Sequence, residues 1–587
     1  MAVEKLITQH IDTWTSALQT RSTAGRGSNG RIDLYGIKKL RELILELAVR
    51  GKLVPQDPND EPASELLKRI AAEKAELVKQ GKIKKQKLLL EISEEEKPFE
   101  LPEGWEWTSL CEISEINPKI EVADDEQEIS FVPMPCVSTR FDGVHEQEIR
   151  KWAEVKKGYT HFANGDIALA KITPCFENSK AAIFNGLKNG VGVGTTELHV
   201  ARPCSSELNP QYILLNIKSP NFLSVGESRM TGSAGQKRVP KSFFENYPLP
   251  FPPIAEQIRI VETFSQLMTI CDQLEQQSLT SLDAHSQLVQ TLLTTLTDSQ
   301  NAEELTENWA RISQHFDTLF TTDASIDALK QTILQLAVMG KLVPQDPNDE
   351  PVNVLFERVK LYQLNRIRNK EIQKPKVIDG FSLPDISIPE TSVFVTLNQL
   401  AFVTKLAGFE YTNYLKLDES GDVPVVRAQN VKPFNLQCNN LKYTSMDISN
   451  KLNRSSLVSP CLLMTFIGAG VGETCIFEEN RRWHLAPNVA KIEPFADLDI
   501  HYMNIYLNSN LGRSEIFKSL KATAQPSLSM TTIREIVMVI PPLGEQKRIV
   551  LKTNSLLSIC DNLKSRLQSA QQTQLHLADA LTDAALS

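Results

Sequence analysis

The chain runs to 587 residues, a length for roughly four domains, and its 41% hydrophobic and 23% charged residues are ordinary for a globular protein. No apolar run nears the ~20 residues of a membrane-spanning helix, and the opening MAVEKLITQHIDTW is an amphipathic helix pattern without the apolar stretch of a signal peptide. A net charge of −9 argues mildly against a protein that holds nucleic acid unaided, since phosphate neutralisation needs concentrated Lys and Arg.

In chain order, Leu6–Leu18 reads as a short amphipathic helix, and Arg21–Gly30 (RSTAGRGSNG) as a flexible Gly/Ser-rich insert. Leu40, Ile44, Leu47 and Ala48 mark a helix that Gly51 stops. Three prolines make GKLVPQDPNDEP, Gly51–Pro62, an extended loop. Asp60 is expected to start the next helix, with a proline in its first turn. Lys79, Lys82, Lys84, Lys85 and Lys87 follow, a run that reads first as a solvated helix face. From Trp105 to Pro250 the runs ISFVPMPCV, DIALAKI, AAIF and ELHVARP predict short strands. Pro252-Pro253 opens a helix of about 65 Å from Ile254 to Leu296. Along it Val261, Phe264, Met268, Cys271, Leu282, Val289, Leu292 and Leu296 step by three and four as a coiled-coil seam, interrupted by Glu275, Ser278 and His285.

The second half repeats the first. GKLVPQDPNDEP recurs unchanged from Gly340 to Pro351, 289 positions on, and PPIAEQ from Pro252 is matched by PPLGEQ from Pro541 at the same interval. ITQHIDT (Ile7–Thr13) is similar to ISQHFDT (Ile312–Thr318), beside which Leu305, Trp309, Ile312 and Phe316 share one helix face. The polar stretch Thr297–Ala302 is the expected junction of the two copies. The variable segment Glu390–Ile540 offers DVPVVRA, CLLMTFI, TCIF and NVAKIEP. Faint echoes of the first segment join Val132-Pro133 to Val423-Pro424, Ile183-Phe184 to Ile476-Phe477, and Gln236 to Gln525. A second long helix runs from Leu543 to about Leu581. Internal repeats outrank other signals. Fixed flanks and drifted centres predict two surfaces that meet one kind of partner and two that read different targets.

Chemistry of its own is hard to find in this sequence. An amine methyltransferase needs [DN]PP[FYW], but Phe251 and Ile540 precede the Pro-Pro pairs. A nucleotide-driven motor needs GxxxxGK[ST]. Gly51-Lys52-Leu53 and Gly340-Lys341-Leu342 lack both the hydroxyl residue and the upstream glycine. Asp57, Asp60 and Glu61, with their copies Asp346, Asp349 and Glu350, sit among prolines and read as a surface or docking loop rather than a metal site. Nine dispersed cysteines without C-x-x-C suit a reducing cytoplasm, and nine histidines form no ligand spacing. The expectation is a non-catalytic chain.

AVxGKLVPQDPNDEP, the PPIAEQxRIV helix start and GDIALAKITPCFENSK (Gly165–Lys180) together resemble the specificity (S) subunits of type I restriction–modification systems, most like the IB group. The resemblance spans essentially the whole chain. It implies an α+β, pseudo-twofold symmetric fold, with two target recognition domains separated by two long antiparallel coiled-coil helix regions. The division would be 1–104, 105–252, 253–380, 381–541 and 542–587, the second and fourth being the readers. Each reader would recognise half of a bipartite, asymmetric double-stranded DNA site. Partners implied are two M (modification methyltransferase) subunits and two R (restriction) subunits in a bacterial cytoplasm. S-adenosylmethionine, ATP and magnesium would belong to those partners, with no cofactor on this chain. A coiled-coil scaffold with two protein-binding β-rich domains is the alternative.

Base reading needs polar side chains on loops, Arg favouring guanine and Asn or Gln favouring adenine. The first reader offers Ser138, Thr139 and Arg140; Lys171, Thr173, Asn178 and Lys180; and Ser233, Gln236, Lys237 and Arg238. Glu177 either accepts from a cytosine amine or caps a turn. The second reader offers Arg427, Gln429 and Asn430; Gly468 in a glycine loop; Arg481 and Arg482; and Gln525. Small residues let the backbone approach phosphates.

Overall fold

The computed structural model describes residues 3–21, 31–84, 92, 97–233, 235–375, 382–518 and 526–587. Most of the Gly/Ser-rich insert, Lys85, Lys87 and Gln525 lie outside the described residues. Two compact units divide the chain: one holds Gly30–Thr280 with the N-terminal helices and Gln571–Ser587, the other Ser281–Ala570.

In the first unit α1 (Tyr35–Val49) buries Leu40, Leu43, Ile44 and Leu47. Gly51 ends it at φ 67°, where a Cβ would come within 2.6 Å of Pro102 and 2.8 Å of Trp105. Only glycine satisfies both the left-handed turn and the close approach. α2 (Ala63–Lys79) packs Ala63, Leu66 and Ile70 into the core of the domain that follows, and α3 (Ile254–Asp298) starts in this unit. The second unit repeats the set as α4 (Asp323–Val338), α5 (Val352–Arg368) and the start of α6 (Leu543–Leu586). The division between units falls inside α3 after Thr280 and inside α6 after Ala570, not at Thr297–Ala302 as the polar composition implied. The seam explains this: Ile260, Phe264, Leu267, Met268, Cys271 and Leu274 are buried, then Val289, Leu293 and Leu296, with a largely exposed stretch between. Val261, Leu282 and Leu292 are only half-buried. His285 Nε2 lies 3.2 Å from the Thr318 carbonyl oxygen, an ordinary use of a seam polar group.

Each proline-rich loop docks on the start of the long helix of its own repeat. Arg259 donates to Asp60 at 2.5 and 3.3 Å, and Arg548 donates to Asp349 at 2.6 and 3.0 Å. Asp60 therefore does not start α2; Pro62 holds the N-cap, and the carboxylate faces the guanidinium instead. That contact raises the Arg259 pKa further above its usual value. Beside it Trp105 Nε1 donates to buried Glu256 at 2.9 Å, and Gln345 donates to Glu545 at 3.3 Å. Gln257 and Gln546, both fully buried, close the Pro-Pro turns by donating to Pro252 and Pro541 carbonyls at 2.9 Å.

Lysines beside the stop glycines meet helix C-termini, as the helix dipole favours. Lys52 donates to the Leu586 carbonyl at 2.9 Å, and Tyr35 Oη donates to Asp579 at 2.7 Å. In the second unit Lys341 donates to the Thr297 and Ser299 carbonyls at 2.7 and 2.9 Å. The expected N-terminal helix and its copy are each broken at a histidine. Val3–Gln9 and Ile11–Ser16 flank His10 (φ −120°, ψ 23°), while Ala302–Gln314 and Phe316–Leu319 flank His315 (φ −116°, ψ 20°). Phe316 therefore falls on a different helix from Leu305, Trp309 and Ile312, and of the predicted shared face Ile312 is buried while Trp309 is exposed.

Between these helices stand two domains of one topology. Among the described residues each has two four-stranded sheets and a two-stranded ribbon, and the second adds a short pair, Val431–Lys432 with Asn435–Leu436. In the first domain one sheet orders Glu148–Lys151, Glu128–Val132, Val191–Gly194 and Thr160–Ala163. In the second the matching order is Lys442–Thr444, Val423–Val426, Trp483–Leu485 and Ser456–Leu457. In both the central pair is parallel and its neighbours antiparallel. The other sheet orders Ser114–Ile116, Leu198–Pro203, Ile167–Ala170 and Ala181–Ile183, matched by Ala401–Lys405, Val489–Pro494, Cys461–Thr465 and Thr474–Phe477. All eight β-rich runs singled out in the sequence contain a strand of these sheets. The Ile183-Phe184 and Ile476-Phe477 echo marks equivalent strands. The Val132-Pro133 and Val423-Pro424 echo also falls on equivalent strands but not on equivalent positions, because Val132 ends its strand whereas Val423 begins one.

Removing one latch should loosen one unit alone. Asp60→Asn is expected to lower amide protection of α1 and the start of α3 by about 1–2 kcal/mol, leaving α4 unchanged, and Asp349→Asn should do the reverse. Hydrogen exchange read by mass spectrometry separates the two.

Candidate nucleic-acid interface

The parallel central strands give each domain a polar end. In the first, the segments after Val132 and Gly194 emerge together, since Ser130 pairs with Gly192 and Val132 with Gly194. The loop after Ala170 arrives there too: Lys171 N–H donates to the Glu197 carbonyl at 2.9 Å. Loop Lys171–Lys180, which turns through a cis Thr173–Pro174 bond, is laced to the third candidate segment. Thr173 N–H donates to Lys237 at 3.0 Å, Val239 N–H donates to Lys171 at 2.8 Å, and Ile172 bridges Arg238. The Ser138 carbonyl accepts from Ala181 N–H at 3.3 Å, just past the loop. The three segments proposed from sequence therefore converge.

Within them the side chains divide by availability. Thr139, Arg140, Asn178, Ser233, Gln236 and Lys237 are exposed. Arg140 pairs with Asp142 at 2.9 Å. Arg238 is gripped by Glu197 through contacts of 2.8, 2.9 and 3.1 Å, which lower the carboxyl's pKa. Lys180 is turned inward, Nζ donating to the Met134 carbonyl at 3.0 Å, and Ser138 Oγ accepts from Arg140 N–H at 2.9 Å. Thr173 Oγ1 is buried without a hydrogen-bond partner among the described residues. Lys171 is half-buried and Glu177 exposed.

The second domain presents the same end differently. Val425 pairs with His484 and Val426 with Leu485, so Arg427–Asn430 continues beyond the strand ends. Asn430 is 1% exposed, its amide donating to Gln437 and Asn439 carbonyls at 2.9 and 3.2 Å and its oxygen accepting from Arg427 N–H at 3.0 Å. It shapes the loop and presents nothing outward, which corrects the expectation of a base reader there. Arg427 is half-buried and donates to the Asn440 carbonyl, leaving Gln429 as the exposed polar side chain of this turn. Gly468, at φ 112°, follows strand Cys461–Thr465, whose Thr465 hydroxyl donates to the Ala428 carbonyl at 3.4 Å. The glycine loop and the Arg427 turn are thus neighbours. Arg481 and Arg482 precede strand Trp483–Leu485 and sit at the opposite end of the parallel pair. Arg482 pins helix Met446–Lys451 through Ser449 (2.8 and 2.9 Å) and meets Asn453 at 2.8 Å. Arg481 lies over the Trp483 ring at 5.5 Å. Sequence proximity to strands could not reveal which end they occupy.

Two groups that sequence reading passed over hold the polar ends in shape. Glu197 fixes Arg238, and Lys432 pairs with Glu473 at 2.9 Å beside the glycine loop. Isolated charges inside drifted segments carry no local pattern to find them by. No group of three or more His, Cys, Asp or Glu residues among those described is placed to hold a metal, and no helix there is long and apolar enough to cross a membrane.

The family model for the type I restriction modification DNA specificity domain matches residues 102–284 and 389–574. The Escherichia coli type I restriction enzyme EcoEI specificity subunit is 61% identical over 610 residues, covering 100% of both chains. The EcoAI specificity subunit, also from Escherichia coli, is 59% identical over 598 residues with the same complete coverage. Among solved structures, a chain of a type I R-M system matches with TM-score 0.48 at 15% identity, over 83% of this chain and 99% of that one. An HsdS subunit from Thermoanaerobacter tengcongensis matches with TM-score 0.40 at 15% identity, over 83% and 98%. Identity sustained over full length with two such relatives, and two matched specificity domains, establish that the chain belongs to the specificity subunits of type I restriction enzymes.

Proposed function

We propose that this chain reads a bipartite, asymmetric double-stranded DNA site, one half with each mixed domain, and assembles two M and two R subunits around it. The observation that carries this is one strand order used twice, with different polar side chains at the equivalent end of each frame. A scaffold that needed one ligand would keep those ends alike. The net charge of −9 fits a complex in which partners supply much of the field around the phosphates. S-adenosylmethionine belongs to M, and ATP and magnesium to R. All nine cysteines are free, as a bacterial cytoplasm would keep them. The division 1–104, 105–252, 253–380, 381–541 and 542–587 serves as the working map of helical and reading regions. The IB group is the subgroup proposed.

The proposed readers are exposed Arg140, Asn178 and Gln236 with half-buried Lys171 in the first domain, and exposed Gln429 with half-buried Arg427 in the second; Gln525, outside the described residues, is kept among them on sequence alone. Asn430, Lys180 and Arg482 hold their segments in place. Methylome sequencing of cells that express this chain with its M partner tests the reading. A two-part adenine-methylated motif is expected, and a soluble complex that produces no new motif would refute it.

Alanine at Lys171, Asn178 or Gln236 should relax one half-site only, and at Arg427, Gln429 or Gln525 the other, by about 1–3 kcal/mol per lost base contact. A change of preference in both half-sites from one domain contradicts independent readers. Arg481→Ala should leave base preference intact in competition binding, because its end of the frame lies away from the converging loops. The purified chain without M should show no methyl transfer and no DNA cleavage in radiolabel and gel assays.

A further inference from the structure

A lysine lies inside the first reading domain where a salt partner or solvent would be expected. Lys218, the C-cap of helix Pro210–Ile217, is 2% exposed. Its Nζ donates to the Ser179 carbonyl at 2.7 Å and lies 3.5 Å from the Ser138 carbonyl oxygen. Those two residues belong to two different candidate segments, Lys171–Lys180 and Ser138–Arg140. Ser179 itself stands at φ 52°, a left-handed conformation that serine adopts only when its surroundings hold it. From the same helix Gln211 donates to the Phe141 carbonyl at 2.6 Å, so this helix reaches the outer segment twice. Burial holds the Lys218 ammonium down at about 7, with Asp142 opposing that shift. Burying an amine of this kind is costly, and a packing role alone is served better by Met or Leu.

The second domain supplies an independent observation. Its helix Ile500–Asn508 is the counterpart of Pro210–Ile217. Asp499 and Asn209 cap the two N-termini in the same way, and Tyr502 and Tyr212 donate to the Val539 and Pro250 carbonyls. Ser509 and Ser219 cap the helices that follow. This register aligns Asn508 with Lys218. Asn508 Nδ2 donates to the Thr474 carbonyl at 3.0 Å, at the first residue of the strand that matches Ala181–Ile183. One helix position, filled by different polar residues, thus ties down the backbone where a candidate reading loop joins its strand.

We infer that Lys218 and Asn508 are positioning residues for sequence discrimination, each setting the loop geometry of its own half-site through main-chain carbonyls. This rests on the loop assignment proposed above. Base readout depends on sub-ångström placement of donors, and a loop tethered at both segments presents its side chains in one arrangement. Lys218→Met keeps the apolar stem and removes the donors. Lys218→Gln retains an amide donor like that of Asn508.

The test uses the complex of the full chain with its M subunits, and compares methylation kcat/KM on cognate duplexes with duplexes carrying one base change in either half-site. Lys218→Met should reduce discrimination at the first half-site roughly tenfold or more, leave the second unchanged, and not lower the thermal midpoint. Lys218→Gln should recover most of the loss, and Asn508→Ala should give the mirror pattern. Ile129→Ala, a core change in the separate cluster with Phe131, Trp152 and Val155, provides the purely structural comparison. The inference is overturned if Lys218→Met leaves both half-sites intact, affects both equally, or loses discrimination only in proportion to a fall in midpoint that Ile129→Ala reproduces. If Arg140→Ala and Asn178→Ala also leave the first half-site unchanged, the loop assignment itself fails. If those variants do alter it while Lys218→Met does not, only the positioning role fails.

Discussion

The clasp between the proline-rich loop and the start of the long helix is the interaction on which each repeat is built. It joins an extended loop, a stop glycine, a Pro-Pro turn and a 45-residue helix through a small set of polar contacts. Arg259 and Asp60 form the outer part, Glu256 with Trp105 the inner part, and Gln257 secures the turn. A buried polar group that loses its partner costs more than the bond itself, so a substitution at Asp60 or Trp105 strands Arg259 or Glu256. A network like this resists piecemeal change. That gives a physical reason for two stretches to stay near-identical 289 positions apart while the rest of each repeat drifts.

The mixed domains follow the opposite rule. Their strands are held by interior apolar side chains, and such cores accept many combinations of similar volume. Strand order and the parallel central pair are kept, although the sequences share little beyond isolated echoes. Nothing in that frame dictates the side chains at its polar end. The division of labour is thus one of tolerance: the clasp fixes geometry, the sheets carry it forward, and the loops are free to differ.

How much was readable in advance follows from the range of each interaction. Strands such as Ile167–Ala170 and Cys461–Thr465 were legible because apolar runs and breakers are local signals. The duplication was legible because identity at fixed spacing needs no folding at all. Asp60 misled because its position before a proline matches a helix start, whereas its partner lies 199 residues away. Asn430 misled for a related reason: a polar residue in a turn looks available until the carbonyls around it are placed. Arg481 and Arg482 stand out in the sequence by charge alone, and only the pairing of Val425 with His484 shows which end of the sheet they occupy. Lys218 gave no sign, since burial of a lysine cannot be read from its neighbours in sequence.

The exchange of helical ends between repeats has a consequence for synthesis. The first unit is largely complete in sequence by Thr280, yet it also contains Gln571–Ser587, where Asp579 meets Tyr35 and the Leu586 carbonyl meets Lys52. At about 5–20 residues per second a ribosome needs roughly 15–60 s to travel from the one to the other. For that interval the nascent first unit carries an unfilled site for its missing helix, while the second unit, contiguous in sequence, closes earlier. The part of the protein made first waits longest for its missing piece.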